Sequence, residues 1–253
     1  MNDLAVYNSR MRKSLLDKIF FMDKIDGCDR FLDYGCADGS MIKFLAEVYP
    51  DNRYFGYDRS QDMIAIAETK PVPSNVGFSA DFSEALDFFE GSGSVVIASS
   101  ILHEIYDAKS QDSFWFDVSH LNPDYLVIRD MCVSRSVNRM SDPTAVAKVH
   151  RKFGSELVER WENRWGNLHD NRSLVHFLLK YRFTENWDTE FRENYLSYTY
   201  ESLLHSIPEE FTIVFNEHYT LHHVKSQVKK DFDIDFQDRT HVKLILKKVS
   251  SGT

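Results

Sequence analysis

Short apolar runs alternate with amphipathic stretches along the first half of the chain. The strand-like runs are 30–35, 52–58, 75–81, 94–100 and 125–131. The helix-like stretches between them are 41–50, 60–70, 83–89 and one that continues to about 120. Buried strands that alternate with helices at this spacing predict βαβ units. The pattern therefore predicts an α/β fold with a doubly wound, mostly parallel sheet.

The second half of the chain has a different pattern. Residues 132–210 contain no buried-strand run and have helical spacing with many aromatic residues. Two more strands are predicted at 211–220 and 241–249, which gives a seven-stranded sheet with a helical insertion after strand five. We interpret 1–253 as a single domain with four parts. These are an N-terminal helical segment at 1–28 (a helix over 9–25), a strand–helix half at 29–131, the insertion at 132–210 and closing strands at 211–253.

Composition excludes several classes of protein. The 253 residues include 30 Lys and Arg against 39 Asp and Glu, a net charge of −9, and 43% are apolar. These values are typical of a soluble globular protein and disfavour indiscriminate nucleic-acid binding. Cys28, Cys36 and Cys132 form no CxxC pair, so neither a disulfide framework nor a zinc ribbon is indicated. No apolar run approaches the ~20 residues that span a bilayer, and no signal-peptide pattern is seen, so a cytoplasmic location without membrane association is expected.

A glycine-containing turn joins the first strand to the first helix of the alternating half. A dinucleotide fold uses G-x-G-x-x-G there, because the pyrophosphate approaches the helix N-terminus. Here Asp33 and Asp38 flank Gly35 and Gly39, and their carboxylates would repel a pyrophosphate. The same carboxylates suit a ligand that carries a sulfonium and an ammonium group. Asp58 ends the second strand, 23 residues after Gly35, where a carboxylate accepts hydrogen bonds from ribose hydroxyls.

Two segments resemble the class I S-adenosylmethionine-dependent methyltransferases. LDYGCADG is similar to the first motif of that family, with Ala37 where many members have glycine, and GYDRSQDMIAIA is similar to the second. The resemblance covers 30–131, and the last two strands match the family's closing hairpin, which implies an antiparallel last strand. It implies S-adenosylmethionine as the cofactor. The cofactor-binding residues that it implies are Asp33, Gly35, Cys36, Gly39, Asp58, Arg59, Met63, Asp81, Phe82 and Ser99.

The segment ASSILHEIYD, residues 98–107, corresponds to the family's fourth motif, beside the transferred methyl group. The resemblance therefore implies catalytic positions for His103 and Glu104. The segment lacks the Asn/Asp-Pro-Pro-Tyr/Phe pattern of base and glutamine methylation and most resembles the Leu-His-x-x-x-Asp form of small-molecule methyltransferases. His103 is either a packed helix residue or a general base, and alignment alone drives many methyl transfers. Asp107 stands where an HExxH zinc helix needs histidine, so no metal site is predicted.

The charge of the insertion is the main clue to the methyl acceptor. Residues 135–182 contain ten Lys and Arg against five Asp and Glu, a local charge of +5. The insertion follows strand five, whose carboxyl end belongs to the rim where such folds bind ligands. We therefore expect a lid and acceptor site for a small, anionic acceptor. Two other functions stay open. One is an RNA methyltransferase, since Ile128-Arg129-Asp130 is similar to the Phe-Arg-Asp of tRNA 3-methylcytidine methyltransferases, and the other is a non-catalytic S-adenosylmethionine-binding protein.

Overall fold

The structure is a computed structural model that describes residues 15–69, 71–89, 91–183 and 187–249. The chain divides into two compact units. The first, here called the sheet unit, comprises Met1–Asp130, Ile207–Glu217 and Lys243–Thr253. The second, the helical unit, comprises Met131–Ser206 and His218–Val242. The helical unit thus includes the connection between the last two strands as well as most of the predicted insertion.

The seven predicted strands are present and form one sheet. Their bounds are β1 Arg30–Tyr34, β2 Arg53–Tyr57, β3 Val76–Ser79, β4 Ser94–Ser99, β5 Tyr125–Met131, β6 Phe211–Tyr219 and β7 His241–Lys248, in the order β3-β2-β1-β4-β5-β7-β6. Strands β1 to β5 pair in parallel. The last strand is antiparallel to β5, because Lys248 N donates to Asp124 O at one end and Cys132 N donates to Thr240 O at the other. The predicted fold class is confirmed.

Helices cover the sheet because its central strands are apolar on both faces. All six residues of β4 are buried, as expected for a strand inside a parallel sheet. The helices of the sheet unit are α1 at 15–18, α2 Ser40–Val48, α3 Gln61–Glu68, α4 Phe82–Phe88, α5 Leu102–Asp107 and α6 Gln111–Leu121. Ile42 and Leu45 of α2 pack with Phe31, Tyr54 and Val95 of the strands in a shared core.

Two predicted helices differ from the structure. Within the described residues, the helix expected over 9–25 is helical only at 15–18 and continues as turns to residue 24, while 9–14 lie outside those residues. The consecutive rings of Phe20 and Phe21 contact Phe215 and Phe31 respectively, and this packing overrides the helical pattern. The stretch expected to run unbroken to His120 is two helices, α5 and α6, because Lys109 adopts a left-handed conformation (φ 55°) between them.

The helical unit contains no described β-strand outside the ends of β5, β6 and β7. Its elements are a short 3-10 helix at Arg135–Val137, α7 Pro143–Trp165, α8 Asn171–Lys180, α9 Trp187–Glu190, α10 Tyr200–Ser206 and α11 His222–Phe232. Asp142 and Asp170 cap the N-termini of α7 and α8 through their side chains. Trp161, Phe177 and Phe232 belong to one aromatic core within this unit. Among the described helices, none is both long and apolar enough to cross a membrane.

Candidate functional site

The turn between β1 and α2 depends on two glycines in left-handed conformations. Gly35 has φ 78° and Gly39, the N-cap of α2, has φ 67°. A Cβ at Gly35 would lie 2.8 Å from Cγ1 of Ile101, and one at Gly39 would lie 2.5 Å from the ring of Phe78. Both backbone conformation and space therefore require glycine. The N–H groups of Gly35 and Cys36 donate to the carbonyl of Tyr57, which fixes the turn against the end of β2.

Asp58 holds the same turn from the end of β2. Its Oδ2 accepts the N–H of Ala37 over 2.9 Å, and its Oδ1 accepts the N–H of Ser60 over 2.9 Å. Ala37 has φ 47°, a left-handed conformation that favours glycine. A carboxylate has about four acceptor positions. Asp58 thus keeps acceptor capacity for ribose hydroxyls while it stabilises the turn.

Asp33 is a buried carboxylate near the carboxyl end of β1, an interior strand of the sheet. It lies opposite Gly56 of β2 and Ile97 of β4, and it is 3% exposed. Burial raises the pKa of Asp33 to about 7, Lys18 opposes this effect, and Asp58 and Asp38 add to it. No described residue donates a hydrogen bond to this carboxylate. Burial and the charge of Arg129 together lower the pKa of Lys18.

Ser99 adds a second buried polar group at the carboxyl end of the strands. It is the last residue of β4, and its buried Oγ has no hydrogen-bond partner among the described residues. Buried polar atoms normally have a partner. Ser99 and Asp33 can thus both accept hydrogen bonds from a bound ligand. Asp33 and Asp58 supply negative charge. These groups fit S-adenosylmethionine, which is cationic at sulfur and nitrogen and carries ribose hydroxyls.

The other predicted cofactor residues lie at varied depths. Cys36 is buried, and burial raises the pKa of its thiol. Arg59 and Met63 are exposed, at the end of β2 and on α3. Asp81 caps α4 by accepting the N–H of Ser83, and these hydrogen bonds lower its pKa. Phe82 packs edge-to-face on Tyr57 with 5.4 Å between ring centroids, so α4 starts beside the end of β2.

The two predicted catalytic residues have different environments. His103 is 3% exposed, and its Nδ1 lies 2.8 Å from Oδ1 of Asp130, which is fully buried. Glu104, the next residue of α5, is exposed to solvent. The structure therefore places His103 in a polar pair inside the sheet unit and Glu104 on its surface. Among the described residues, no three His, Cys, Asp or Glu side chains are grouped so that they could hold a metal ion.

Sequence reasoning did not assign a role to Asp130, nor to a buried cation network around it. Arg129 Nε donates to Asp17 Oδ2 over 2.8 Å, and Arg129 Nη1 donates to Ser100 Oγ over 3.2 Å. Lys243 Nζ lies 2.7 Å from the other oxygen of Asp17. The available signal was the Arg-Asp pair in the otherwise apolar strand YLVIRDM. Charges inside a buried strand require partners, and here the partners are Asp17 and His103.

The basic residues expected at the acceptor site are largely engaged within the helical unit. Arg160 pairs with Asp188 at 2.8 Å, Arg164 donates to the carbonyl of Arg192, and Arg172 donates to the carbonyl of Leu196. Lys152 donates to the carbonyl of Asp231, whereas Arg151 is exposed. In these contacts the basic side chains bind other groups of the helical unit.

A cleft of about 690 Å³ lies wholly within the helical unit. Its walls include the Arg139–Asp238 ion pair and the apolar side chains of Leu174 and Phe236. None of the residues predicted to bind the cofactor or to act in catalysis lines it. The cleft is thus separate in composition from the candidate site of the sheet unit.

Comparison with known proteins agrees with the fold. The sequence model of a methyltransferase-domain family matches residues 31–123. No curated protein matched the chain. A solved S-adenosylmethionine-dependent methyltransferase from Anabaena variabilis is 13% identical, with a TM-score of 0.52 over 98% of this chain and 96% of that one. A putative S-adenosylmethionine-dependent methyltransferase from Listeria monocytogenes is 15% identical, with a TM-score of 0.54 over 94% and 100% of the two chains.

A third solved structure is the plantazolicin methyltransferase BamL, in complex with a triazolic desmethylPZN analog and SAH. It is 10% identical to this chain, with a TM-score of 0.51 over 96% of this chain and 89% of that one. At these identities the solved structures support the fold, and the matched family model covers the turn and the ends of β2 and β4 described above. The family model over residues 31–123 and the order of the strands in the sheet agree with a methyltransferase fold and with the resemblance found in the sequence.

Proposed function

We propose that the protein transfers the methyl group of S-adenosylmethionine to a small acceptor that carries a negative charge. The observation that carries the proposal is the arrangement of carboxylates at the β1–α2 turn. Asp58 is fixed by two backbone N–H groups at 2.9 Å, and Asp33 is buried next to it. A pair of carboxylates in this position stabilises a cationic ligand with ribose hydroxyls and opposes a pyrophosphate.

Each group of the site has a proposed part in binding. Asp58 accepts hydrogen bonds from the ribose, while Asp33 faces the positive charge of the ligand. Ser99 supplies a hydroxyl at the end of β4. Met63 and Phe82 pack near the adenine, and Asp81 accepts a hydrogen bond from the adenine amine. Arg59 follows Asp58 directly, and Gly35, Cys36 and Gly39 let the backbone approach the ligand. Orientation of two reactants in this way contributes much of the rate enhancement in displacement reactions.

The proposed reaction is a direct displacement. When bound, S-adenosylmethionine supplies an electrophilic methyl group, whose bond to sulfur breaks with the electron pair left on sulfur as the acceptor atom bonds to carbon. His103 takes the proton that the acceptor loses. Glu104 is exposed on the same helix and is proposed to contact the acceptor rather than to take its proton.

The charge distribution supports a small acceptor over RNA. The sheet unit has 15 Lys and Arg against 25 Asp and Glu, a net charge of −10, whereas the helical unit has 15 against 14, a net charge of +1. A polyanion is repelled by such a sheet unit, while a single negative group needs only one or two cations. Arg129 and Asp130, which gave the similarity to tRNA methyltransferases, are both buried and bonded to other side chains.

We further propose that residues 132–210 select the acceptor and become ordered when both ligands are bound. Gating segments belong to the less stable parts of a fold. Amide hydrogen exchange of these residues should slow when S-adenosylhomocysteine and acceptor are present. Equal exchange with and without ligands would assign the segment a purely structural role.

Two measurements test the proposed function. The first is calorimetric titration with S-adenosylmethionine and S-adenosylhomocysteine, where absence of binding at millimolar concentration contradicts the proposal. The second is methyl transfer from labelled S-adenosylmethionine to the low-molecular-mass fraction of a cell extract, beside bulk tRNA. Binding without transfer to either pool supports a non-catalytic protein.

Salt dependence separates the two acceptor classes. Contacts with several RNA phosphates make affinity fall steeply with salt, by about 0.7 log units per contact per tenfold change for single strands. A small anion that engages one or two cations is much less sensitive. If the protein retains tRNA at low salt and loses it at moderate salt, the result favours RNA as the acceptor. Loss of retention in Arg151→Ala, which removes an exposed cation, favours RNA as well. Transfer to the small-molecule pool without tRNA retention supports the small acceptor.

A further inference from the structure

Asp130 and His103 form a buried pair that neither the family resemblance nor the proposed binding roles explain. Oδ1 of Asp130 lies 2.8 Å from Nδ1 of His103, and the two residues are 0% and 3% exposed. They come from different elements, the end of β5 and the start of α5, 27 positions apart. A side-chain pair between distant elements is retained only where the fold holds both partners in place.

The second oxygen of Asp130 is fixed by the backbone of α5. Oδ2 accepts the N–H groups of Leu102 and His103, the latter over 3.3 Å. These are first-turn amides of α5, which have no acceptor within their own helix. The carboxylate therefore cannot rotate without loss of these bonds. Its remaining oxygen must face the imidazole.

This geometry selects one tautomer of His103. A carboxylate only accepts hydrogen bonds, so the neutral imidazole that faces it must carry its proton on Nδ1. The lone pair then resides on Nε2. In the Ser-His-Asp triad of serine proteases, a buried aspartate holds the histidine base in the same way. The Asp130–His103 pair corresponds to the aspartate and histidine of that triad, and the proposed role of the pair does not involve a serine.

Charged and titratable groups lie on the elements around the pair. Lys18 of α1 interacts electrostatically with Asp130, Asp33 and Arg129, and Arg129 precedes Asp130 in β5. The titratable groups of α5 itself and of α6, which packs against it, are Glu104, Tyr106, Asp107, Asp112, Asp117 and His120. Of these, Asp117 is bonded to Tyr34. Lys18 therefore contributes to the electrostatic environment of Asp130.

We propose that Asp130 is a positioning residue that holds His103 as the Nδ1–H tautomer, so that Nε2 receives the proton of the methyl acceptor. The inference rests on the proposed function, because it assumes that His103 is the base. The acceptor's proton passes to Nε2, and the imidazolium that forms is stabilised by the Asp130 carboxylate. No other proton or electron transfer is needed.

The sharpest test is Asp130→Asn. The backbone N–H groups of Leu102 and His103 retain the amide oxygen of the new side chain, so its NH₂ group faces Nδ1. The imidazole must then accept there and carry its proton on Nε2. We expect turnover to fall by roughly 10²–10⁴-fold, the usual contribution of a general base. Affinity for S-adenosylhomocysteine should stay at the wild-type value.

The tautomer is measured directly by ¹⁵N NMR of histidine-labelled protein bound to S-adenosylhomocysteine. The protein has ten histidines, and the signals absent from His103→Gln identify His103. We expect Nδ1–H in neutral wild-type His103 and Nε2–H in Asp130→Asn. Wild-type protein with the proton on Nε2 overturns the inference, and this measurement needs no variant at Asp130.

Asp117→Asn is the matched control, because it makes the same change at a carboxylate that accepts from Tyr34 over 2.6 Å in the same unit. It should leave both the tautomer of His103 and the pH profile of turnover unchanged.

If the tautomer changes in Asp130→Asn while turnover does not, Asp130 has no part in the reaction. If His103→Gln turns over at the wild-type rate, the base assignment fails, and with it the positioning role. If no form of the protein transfers methyl groups, the proposed function fails, and the reaction role of Asp130 fails with it. The tautomer measurement distinguishes that result from a loss of the Asp130–His103 pair.

Discussion

The carboxylate of Asp58 accepts the backbone N–H of Ala37 over 2.9 Å, although the two residues are 21 positions apart. The bond joins the end of β2 to the turn after β1, so the group proposed to bind ribose also fixes the turn on which the cofactor lies. A substitution that removes the carboxylate therefore removes both the proposed ribose contact and the bond that fixes the turn. This coupling makes Asp58 a more severe position for substitution than an ordinary ligand contact.

Asp58→Ala should weaken binding of S-adenosylhomocysteine by at least tenfold. The variant loses charge-assisted hydrogen bonds, each worth about 1.5–3 kcal/mol, to the ligand and to the turn. Calorimetric titration measures the change. Asp51→Ala removes an exposed carboxylate just before β2 and should bind as wild type does. Equal affinities of the two variants would contradict the proposed ribose contact.

Ala37→Gly should stabilise the protein by about 1 kcal/mol. The left-handed conformation of Ala37, φ 47°, costs an L-residue about 1–2 kcal/mol, and part of this gain is lost to the greater chain entropy of glycine when unfolded. Thermal or urea unfolding measures the difference. Ala46→Gly makes the same change inside α2, where Ala46 is buried, and should destabilise by about 1 kcal/mol or more. A destabilised Ala37→Gly would show that the backbone there is not strained.

The sheet could be predicted from the sequence because each strand carries its own signal. Apolar runs such as SVVIAS in β4 indicate burial on both faces without knowledge of their neighbours. The glycine turn and Asp58 were predictable for a similar reason, since backbone sterics and the end of a strand fix their places. The end of α1 at Lys18 was not predictable, because it depends on contacts of Phe20 and Phe21 with distant residues.

The polar pairs of the site could be predicted only in part. His103 was recognised by its motif, but its partner Asp130 is 27 positions away, and nothing local in the sequence joins them. The charge excess of 135–182 was visible, yet the sequence did not reveal that Arg160 and Arg164 are held by Asp188 and the carbonyl of Arg192. Pairing between distant charges depends on topology, which composition does not contain.

Lys180→Met should destabilise the helical unit. Lys180 is fully buried, donates to the carbonyls of Glu190 and Glu193, and lies 3.9 Å from the ring centroid of Tyr195. Methionine fills a similar volume but leaves these carbonyls without that donor, at a cost of roughly 1–3 kcal/mol. Urea unfolding measures the loss. Lys225→Met, at an exposed position of α11, is the control and should change stability little. Equal stabilities would assign no structural role to Lys180.

Asp33 should make the ligand-free protein less stable as the pH rises. Its pKa in the folded protein is about 7, above the ordinary value, because of burial. The folded state therefore binds more protons than the unfolded state between about pH 4 and pH 7, and stability falls across this range, by up to about 4 kcal/mol. Asp33→Asn removes this loss, so its stability relative to wild type should increase with pH in unfolding measurements. A difference that does not depend on pH would contradict the raised pKa.

Cofactor affinity should have the opposite pH dependence from stability. Above about pH 7 Asp33 is ionised and attracts the positive charge of S-adenosylmethionine, whereas below that pH it is protonated and neutral. Binding should therefore strengthen as the pH rises from 6 to 8, while the ligand-free protein becomes less stable. Calorimetric titration at both pH values measures this change, and Asp33→Asn should bind weakly with no such increase. Asp51→Asn, which alters an exposed carboxylate, should keep the wild-type dependence. A general effect of pH on the fold would move stability and affinity in the same direction, so the opposite trends, lost together in Asp33→Asn, identify a single buried carboxylate as the cause.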